Sequence, residues 1–213
     1  MHIVLIGDSI FDNAPYVDSG HSVSELVSEM VGDIPVSLLA VDGDVTTDVK
    51  LQMESLPPSA THLFVSCGGN DALQSLHVLS QPATTVGEAL NLCSEMIRKF
   101  RENYRSMLNA ILSRNKNLTV CTIYNRVPGF SSIDTTALAL FNEVILEEAM
   151  RERLPVIDLR IVFDNDQDFS AKSPIEPSAE GGRKIAKLIS EISTANDDYP
   201  KDRAHCQSQI YYR

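Results

Sequence analysis

A few short stretches of the chain combine side chains that can do chemistry with residues small enough to let a ligand approach. They are Gly7-Asp8-Ser9-Ile10, Val41-Asp42-Gly43-Asp44, Gly68-Gly69-Asn70-Asp71 and, much later, Ser173-Pro174-Ile175-Glu176-Pro177-Ser178. Together they offer a hydroxyl, an amide, carboxylates and backbone N–H groups that no bulky side chain shields. Such groups attack, move a proton or hold a developing charge when a fold brings them together. Taken singly, each fragment is ordinary. Gly-Asp-Ser after a strand suits a turn or a helix cap, and Gly-Gly-Asn-Asp is common turn composition. Their weight comes from their order and from the element that each one follows.

Apolar runs at 3–6, 36–41, 62–67, 118–124 and 156–159 are rich in Val, Ile and Leu without regular alternation, as in parallel strands covered on both faces. Amphipathic stretches at 22–31, 46–55, 86–114, 133–153 and 179–192 read as helices, and Thr85 with Glu88 forms a capping box before the longest. Strand alternating with helix predicts one α/β domain over residues 1–193, a three-layer α/β/α sandwich around a five-stranded parallel sheet. Residues 194–213 are polar, lack periodicity and read as a C-terminal tail. Ligands of such a sheet bind outside the carboxyl ends of its strands, where all these stretches fall.

In order and strand context the stretches resemble the SGNH hydrolase (GDSL-type lipase/acylhydrolase) family, named for a Ser, a Gly, an Asn and a His in successive blocks. Gly7-Asp8-Ser9 stands as the first block, Gly43 lies in the second, and Gly68-Gly69-Asn70-Asp71 forms the third. A Pro-Ser-x-x-Gly helix start at Pro177–Gly181 matches too, and the resemblance spans residues 2–193. It implies a flavodoxin-like fold, Ser9 as nucleophile, and an oxyanion hole made of the Ser9 and Gly43 N–H groups and the Asn70 side-chain amide. A tetrahedral intermediate needs fixed donors around one oxygen; glycine permits close approach and asparagine donates without charge. Asp8 and Asp71 are expected to brace their turns rather than react.

The last block departs from the family's pattern. Where Asp-x-x-His is usual, this chain has Ser173-Pro174-Ile175-Glu176, so both the base and its orienting acid are replaced. An unperturbed glutamate titrates near 4.3 against about 6.5 for histidine, and is the weaker base unless burial raises it. Ile175 and Pro177 favour such desolvation, whereas the N-terminus of the last helix would depress the pKa. Ser173 is a supporting residue at the place of the missing acid. His2 and His62 fall at the amino ends of their strands, the wrong edge. His21 and His77 lie in connections near the right edge and are candidates for a substitute base. His205 sits in the tail, from which a return to the site needs an almost extended chain.

Composition narrows the rest. Lys and Arg number 18 against 29 Asp and Glu, a formal charge of −11 over 213 residues. That balance repels phosphate backbones and anionic lipid, so neither nucleic acid nor membrane is expected as a partner. No apolar run reaches the roughly 20 residues of a membrane span. His2 leads straight into an apolar strand with no basic start and no cleavage pattern, so the expected location is cytoplasmic. Cys67, Cys93, Cys121 and Cys206 are widely spaced and read as free thiols. Asp164-Asn165-Asp166-Gln167-Asp168 opens like a calcium loop, but Phe169 and Ile175 stand where glycine and glutamate are needed, so a solvated acidic loop is expected. The functional expectation is a serine carboxylic-ester hydrolase for a small acyl ester, with no metal and no cofactor, and with room for a homo-oligomer. The alternative is a catalytically silent relative that binds a small ester or sugar.

Overall fold

The computed structural model describes residues 1–195 and 209–211, and its six strands form a single parallel sheet. The strands are β1 (Ile3–Gly7), β2 (Val36–Leu38), β3 (His62–Ser66), β4 (Asn117–Cys121), β5 (Val156–Ile157) and β6 (Ile210–Tyr211), ordered β2-β1-β3-β4-β5-β6. Helices α1 (Val23–Val31), α2 (Val49–Gln52), α3 (Gly69–Gln74), α4 (Val86–Leu112), α5 (Ser132–Arg151), α6 (Leu159–Val162) and α7 (Ala179–Ala195) connect and cover them.

β1 explains the layering. Its side chains alternate between two cores, because successive residues of a strand point to opposite faces. Ile3 and Leu5 join Phe64 and the apolar stripes of α1 and α7; Val4 and Ile6 join Leu63, Val65 and those of α4 and α5. The expected three-layer sandwich is therefore the observed one. The Thr85/Glu88 capping box opens α4 as read from the sequence, with Glu88 N–H donating to Thr85 Oγ1 at 3.1 Å.

The sheet has one strand more than expected, and that strand comes from the stretch read as a tail. The Val156 and Asp158 N–H groups donate to the Gln209 and Tyr211 carbonyls, both at 2.8 Å, so Ile210–Tyr211 closes the edge beside β5. Other expected strands are shorter. β2 stops at Leu38 because the Leu39 and Ala40 N–H groups both turn to the Leu5 carbonyl. β5 stops because Asp158 caps α6. The helix expected at 46–55 is only α2 followed by a 3-10 turn, Met53–Ser55.

The loop 164–168 also needs correction. Asp168 is fully buried, and its Oδ2 accepts from the Asp164 and Asn165 N–H groups at 3.0 and 3.2 Å and from Lys184 Nζ at 2.8 Å. The turn is closed on itself and tied to α7 rather than solvated throughout. Cys67, Cys93 and Cys121 are free thiols, while Cys206 and His205 lie outside the described residues. Among the described residues, no helix is long and apolar enough to cross a membrane.

Candidate active site

The first block is set by a close approach of strands. Gly7 has φ +123°, and a Cβ there would sit 1.8 Å from the Ser66 carbonyl oxygen of β3. Only glycine fits, so the chain turns sharply off β1 and delivers Ser9 to the sheet's carboxyl edge. Asp8 braces this turn through its Oδ1, which accepts from the Ile10 N–H at 3.2 Å. A residue with no signal in the sequence, Gln52, clamps it from α2. Its Oε1 accepts from the Gly7 N–H at 2.9 Å, and its Nε2 donates to the Gly7 carbonyl and to Asp44 Oδ2, both at 2.7 Å.

Gly43 sits in the turn after β2 with φ +88°, and the Val41 N–H ties that turn to the Gly7 carbonyl at 3.1 Å. Asn70, on the first turn of α3, donates one amide hydrogen to the Asp44 carbonyl at 2.9 Å and keeps the other. Asp71 accepts from Thr46 N–H at 3.0 Å and Thr46 Oγ1 at 2.6 Å. The expected bracing role of Asp71 thus links the second and third blocks to each other. Among the described residues, the Ser9 and Gly43 N–H groups have no acceptor.

Glu176 reaches this group from the far end of the sequence. Ser9 Oγ donates to Glu176 Oε1 at 2.9 Å. The segment carrying Glu176 is pinned on every side. The Ser170 N–H donates to the Glu176 carbonyl at 2.8 Å, the Glu176 N–H to the Ser173 carbonyl at 3.1 Å, Asn13 Nδ2 to the Pro177 carbonyl at 3.2 Å, and the Tyr124 hydroxyl to the Ile175 carbonyl. Ser178 then caps α7, taking the Glu180 and Gly181 N–H groups on its own hydroxyl at 3.1 Å each. Ser173 supports Glu176 through its backbone carbonyl alone.

The electrostatics follow from burial. Glu176 is 4% exposed and its pKa is pushed up to about 7: burial raises it, the Ser9 hydrogen bond holds it down, and the charge of Asp42 raises it further. Depression by the α7 N-terminus does not prevail, because burial is the largest influence on Glu176. Glu176 Oε2 is buried without a hydrogen-bond partner. Asp8 rises to about 8, chiefly through burial and despite the Ile10 N–H, so it is protonated at neutral pH. Asp71 is raised as well, again by burial first.

Ser9, Asn70 and Glu176 line one cleft, and neither His21 nor His77 does. Those histidines hydrogen-bond through Nδ1 to nearby carbonyls, of Ser19 at 3.1 Å and of Gln74 at 3.0 Å. His2 and His62 are occupied at the amino ends of their strands, with Ser37 and Ser59, and with Thr61 and Asn117. The side chain hydrogen-bonded to Ser9 is thus a carboxylate.

Fold and site together define an α/β/α sandwich with a serine–carboxylate pair at the carboxyl edge of a parallel sheet. The chain belongs to the GDSL-like lipase/acylhydrolase family, whose model matches residues 5–184. Comparison with curated proteins found no match. Among solved structures, a member of the lipolytic G-D-S-L family from Veillonella parvula is 18% identical with a TM-score of 0.69, covering 91% of this chain and 98% of its own. The esterase EstA from Pseudoalteromonas sp. is 14% identical with a TM-score of 0.63, covering 92% and 98%. An acetyl xylan esterase, AlAXEase, is 18% identical with a TM-score of 0.64, covering 91% and 99%. At such identities the likeness is one of fold.

Proposed function

We propose that the protein is a carboxylic-ester hydrolase in which Ser9 is the nucleophile and Glu176 the base. The observation that carries this reading is the 2.9 Å hydrogen bond from Ser9 Oγ to a buried carboxylate. Glu176 takes the hydroxyl proton as Ser9 Oγ bonds to the acyl carbon, and the carbonyl oxygen becomes an oxyanion. The Ser9 and Gly43 N–H groups and the free Asn70 amide hydrogen receive that charge. Protonated Glu176 then gives its proton to the departing alkoxide, leaving an acyl-Ser9. Water then gives a proton to the same carboxylate as its oxygen bonds to the acyl carbon, and Glu176 returns that proton to Ser9 Oγ as the acyl–Oγ bond breaks and the acid leaves. A single group can serve in both directions because its pKa lies near neutrality. Family membership and the esterases that share the fold support the same chemistry.

The replacement of the usual histidine favours a second reading, a silent binder of small esters. Steady-state hydrolysis of p-nitrophenyl esters separates the two. The hydrolase reading expects turnover that Ser9→Ala abolishes, and Asn70→Ala to lower kcat by about 10²–10³ with KM nearly unchanged. A wild type inert toward every ester, with Ser9 also unreactive toward a fluorophosphonate, establishes the binding reading instead.

A further inference from the structure

We infer that the substrate of this site pairs a medium-length apolar acyl group with an alcohol that is neutral or cationic, never anionic. The inference rests on the ester-hydrolase reading and adds the substrate class. Away from Ser9 and Asn70, the cleft is walled almost entirely by hydrocarbon. Leu73 and Leu79 come from α3 and the 3-10 turn after it, Met96 from α4, Val127 from the loop after β4, and Leu138 and Phe141 from α5. An acetyl group would leave these walls wet. Each methylene placed against them strengthens binding by about fourfold, so selectivity climbs with chain length until the cleft is full. The acyl group is accordingly longer than the small one that the sequence suggests.

The charges point to the other half of the ester. Among the described residues, the ionisable carboxylates lining the cleft are Asp8, Asp134 and Glu176, with no Lys, Arg or His beside them. Beside the oxyanion donors lie further acids. Asp42 accepts from the Tyr16 hydroxyl at 2.7 Å, and Asp44 carries the carbonyl that holds Asn70. Sites for phosphate or carboxylate present Arg, Lys or a row of N–H donors. With Asp8 protonated, an anionic leaving group still meets the carboxylates of Glu176 and Asp134 in the cleft and of Asp42 and Asp44 beside it, whereas a neutral diol or a quaternary amine meets no like charge.

The experiment measures kcat/KM for p-nitrophenyl esters from acetate to dodecanoate, and for octanoyl esters of choline, ethylene glycol and glycolate. Octanoate is expected to exceed acetate by about tenfold or more. The glycolate ester is expected to fall at least about tenfold below the ethylene glycol ester, and the choline ester to match or exceed it. Ala137→Phe, which adds a ring to the cleft wall, should move the optimum to shorter chains. A maximum at acetate overturns the acyl half, and a preferred glycolate ester overturns the alcohol half. If no ester is turned over, the hydrolase reading fails separately, and calorimetric affinities of the same octanoyl and acetyl esters decide. Affinity that rises with chain length and falls with negative charge sustains the inference; affinity flat in both rejects it.

Discussion

Glu176 must ionise in a place that resists charge, and this has a consequence for stability as well as for chemistry. Its folded pKa of about 7 stands above the ordinary value of 4.5. Between those two pH values the folded state keeps a proton that the unfolded chain has released, so stability declines as pH rises through that window. The ionised group costs about 3 kcal/mol once pH is well above 7 and nothing below about 4. Glu176→Gln removes the charge and keeps the shape. The variant is expected to be more stable than wild type at pH 9 by up to that amount and about equal at pH 4. Urea unfolding at both pH values checks this, and an equal difference at the two contradicts it. From the sequence, the order of the blocks put forward Ser9, Gly43, Asn70 and Glu176; Ser9, Asn70 and Glu176 share one cleft, and Gly43 is not among the residues that line it. The pKa of Glu176 was not legible, because burial and the α7 N-terminus oppose each other. Which one wins depends on how deeply the fold buries the carboxylate, and burial prevails.

At the scale of elements, the site depends on polar side chains that bridge segments distant in sequence. Asn13 is fully buried and uses both ends of its amide: Oδ1 accepts from the Val23 N–H of α1 at 2.8 Å, and Nδ2 donates to the Pro177 carbonyl at 3.2 Å. It thereby ties the loop that follows Ser9 to the segment that carries Glu176. Asn13→Ala leaves the carbonyl and the N–H unpaired inside the protein, which destabilises by about 2 kcal/mol. Because it loosens the Ser9–Glu176 distance, kcat is expected to fall by about tenfold or more while KM changes little. Unaltered kcat in a folded variant would show that this tie does not position the pair. Asn13 and Gln52 carry no sequence signal, since one reads as a loop residue and the other as part of a short helix. The alternating strands and long helices were legible from periodicity and capping. α3 and its 3-10 extension were not, because the first turn of α3 is itself the Gly-Gly-Asn-Asp composition that reads as a turn.

For the whole molecule, the least legible feature was the return of the chain end to the sheet. Two residues of strand type within a polar stretch give no periodicity to read, and only pairing with β5 makes Ile210–Tyr211 a strand. The Gln209 and Tyr211 carbonyls accept the Val156 and Asp158 N–H groups, which an exposed β5 edge would leave open. Deleting residues 196–213 removes two such hydrogen bonds, about 2 kcal/mol in all, and should lower Tm by roughly 4–8 °C. Thermal unfolding of the truncated chain checks the loss. An unchanged Tm would mean that the edge strand contributes nothing to the fold.

The rate at which a fluorophosphonate modifies Ser9 tests Glu176 as its base without any assumption about substrate. In wild type the rate should be low at pH 5, rise with an apparent pKa near 7, and level off at higher pH, because only ionised Glu176 accepts the proton. In folded Glu176→Gln the rate at pH 8 should fall by about 10²-fold or more and lose that pH dependence. Labelling of the variant at the wild-type rate, with the same acid limb, would contradict the assignment.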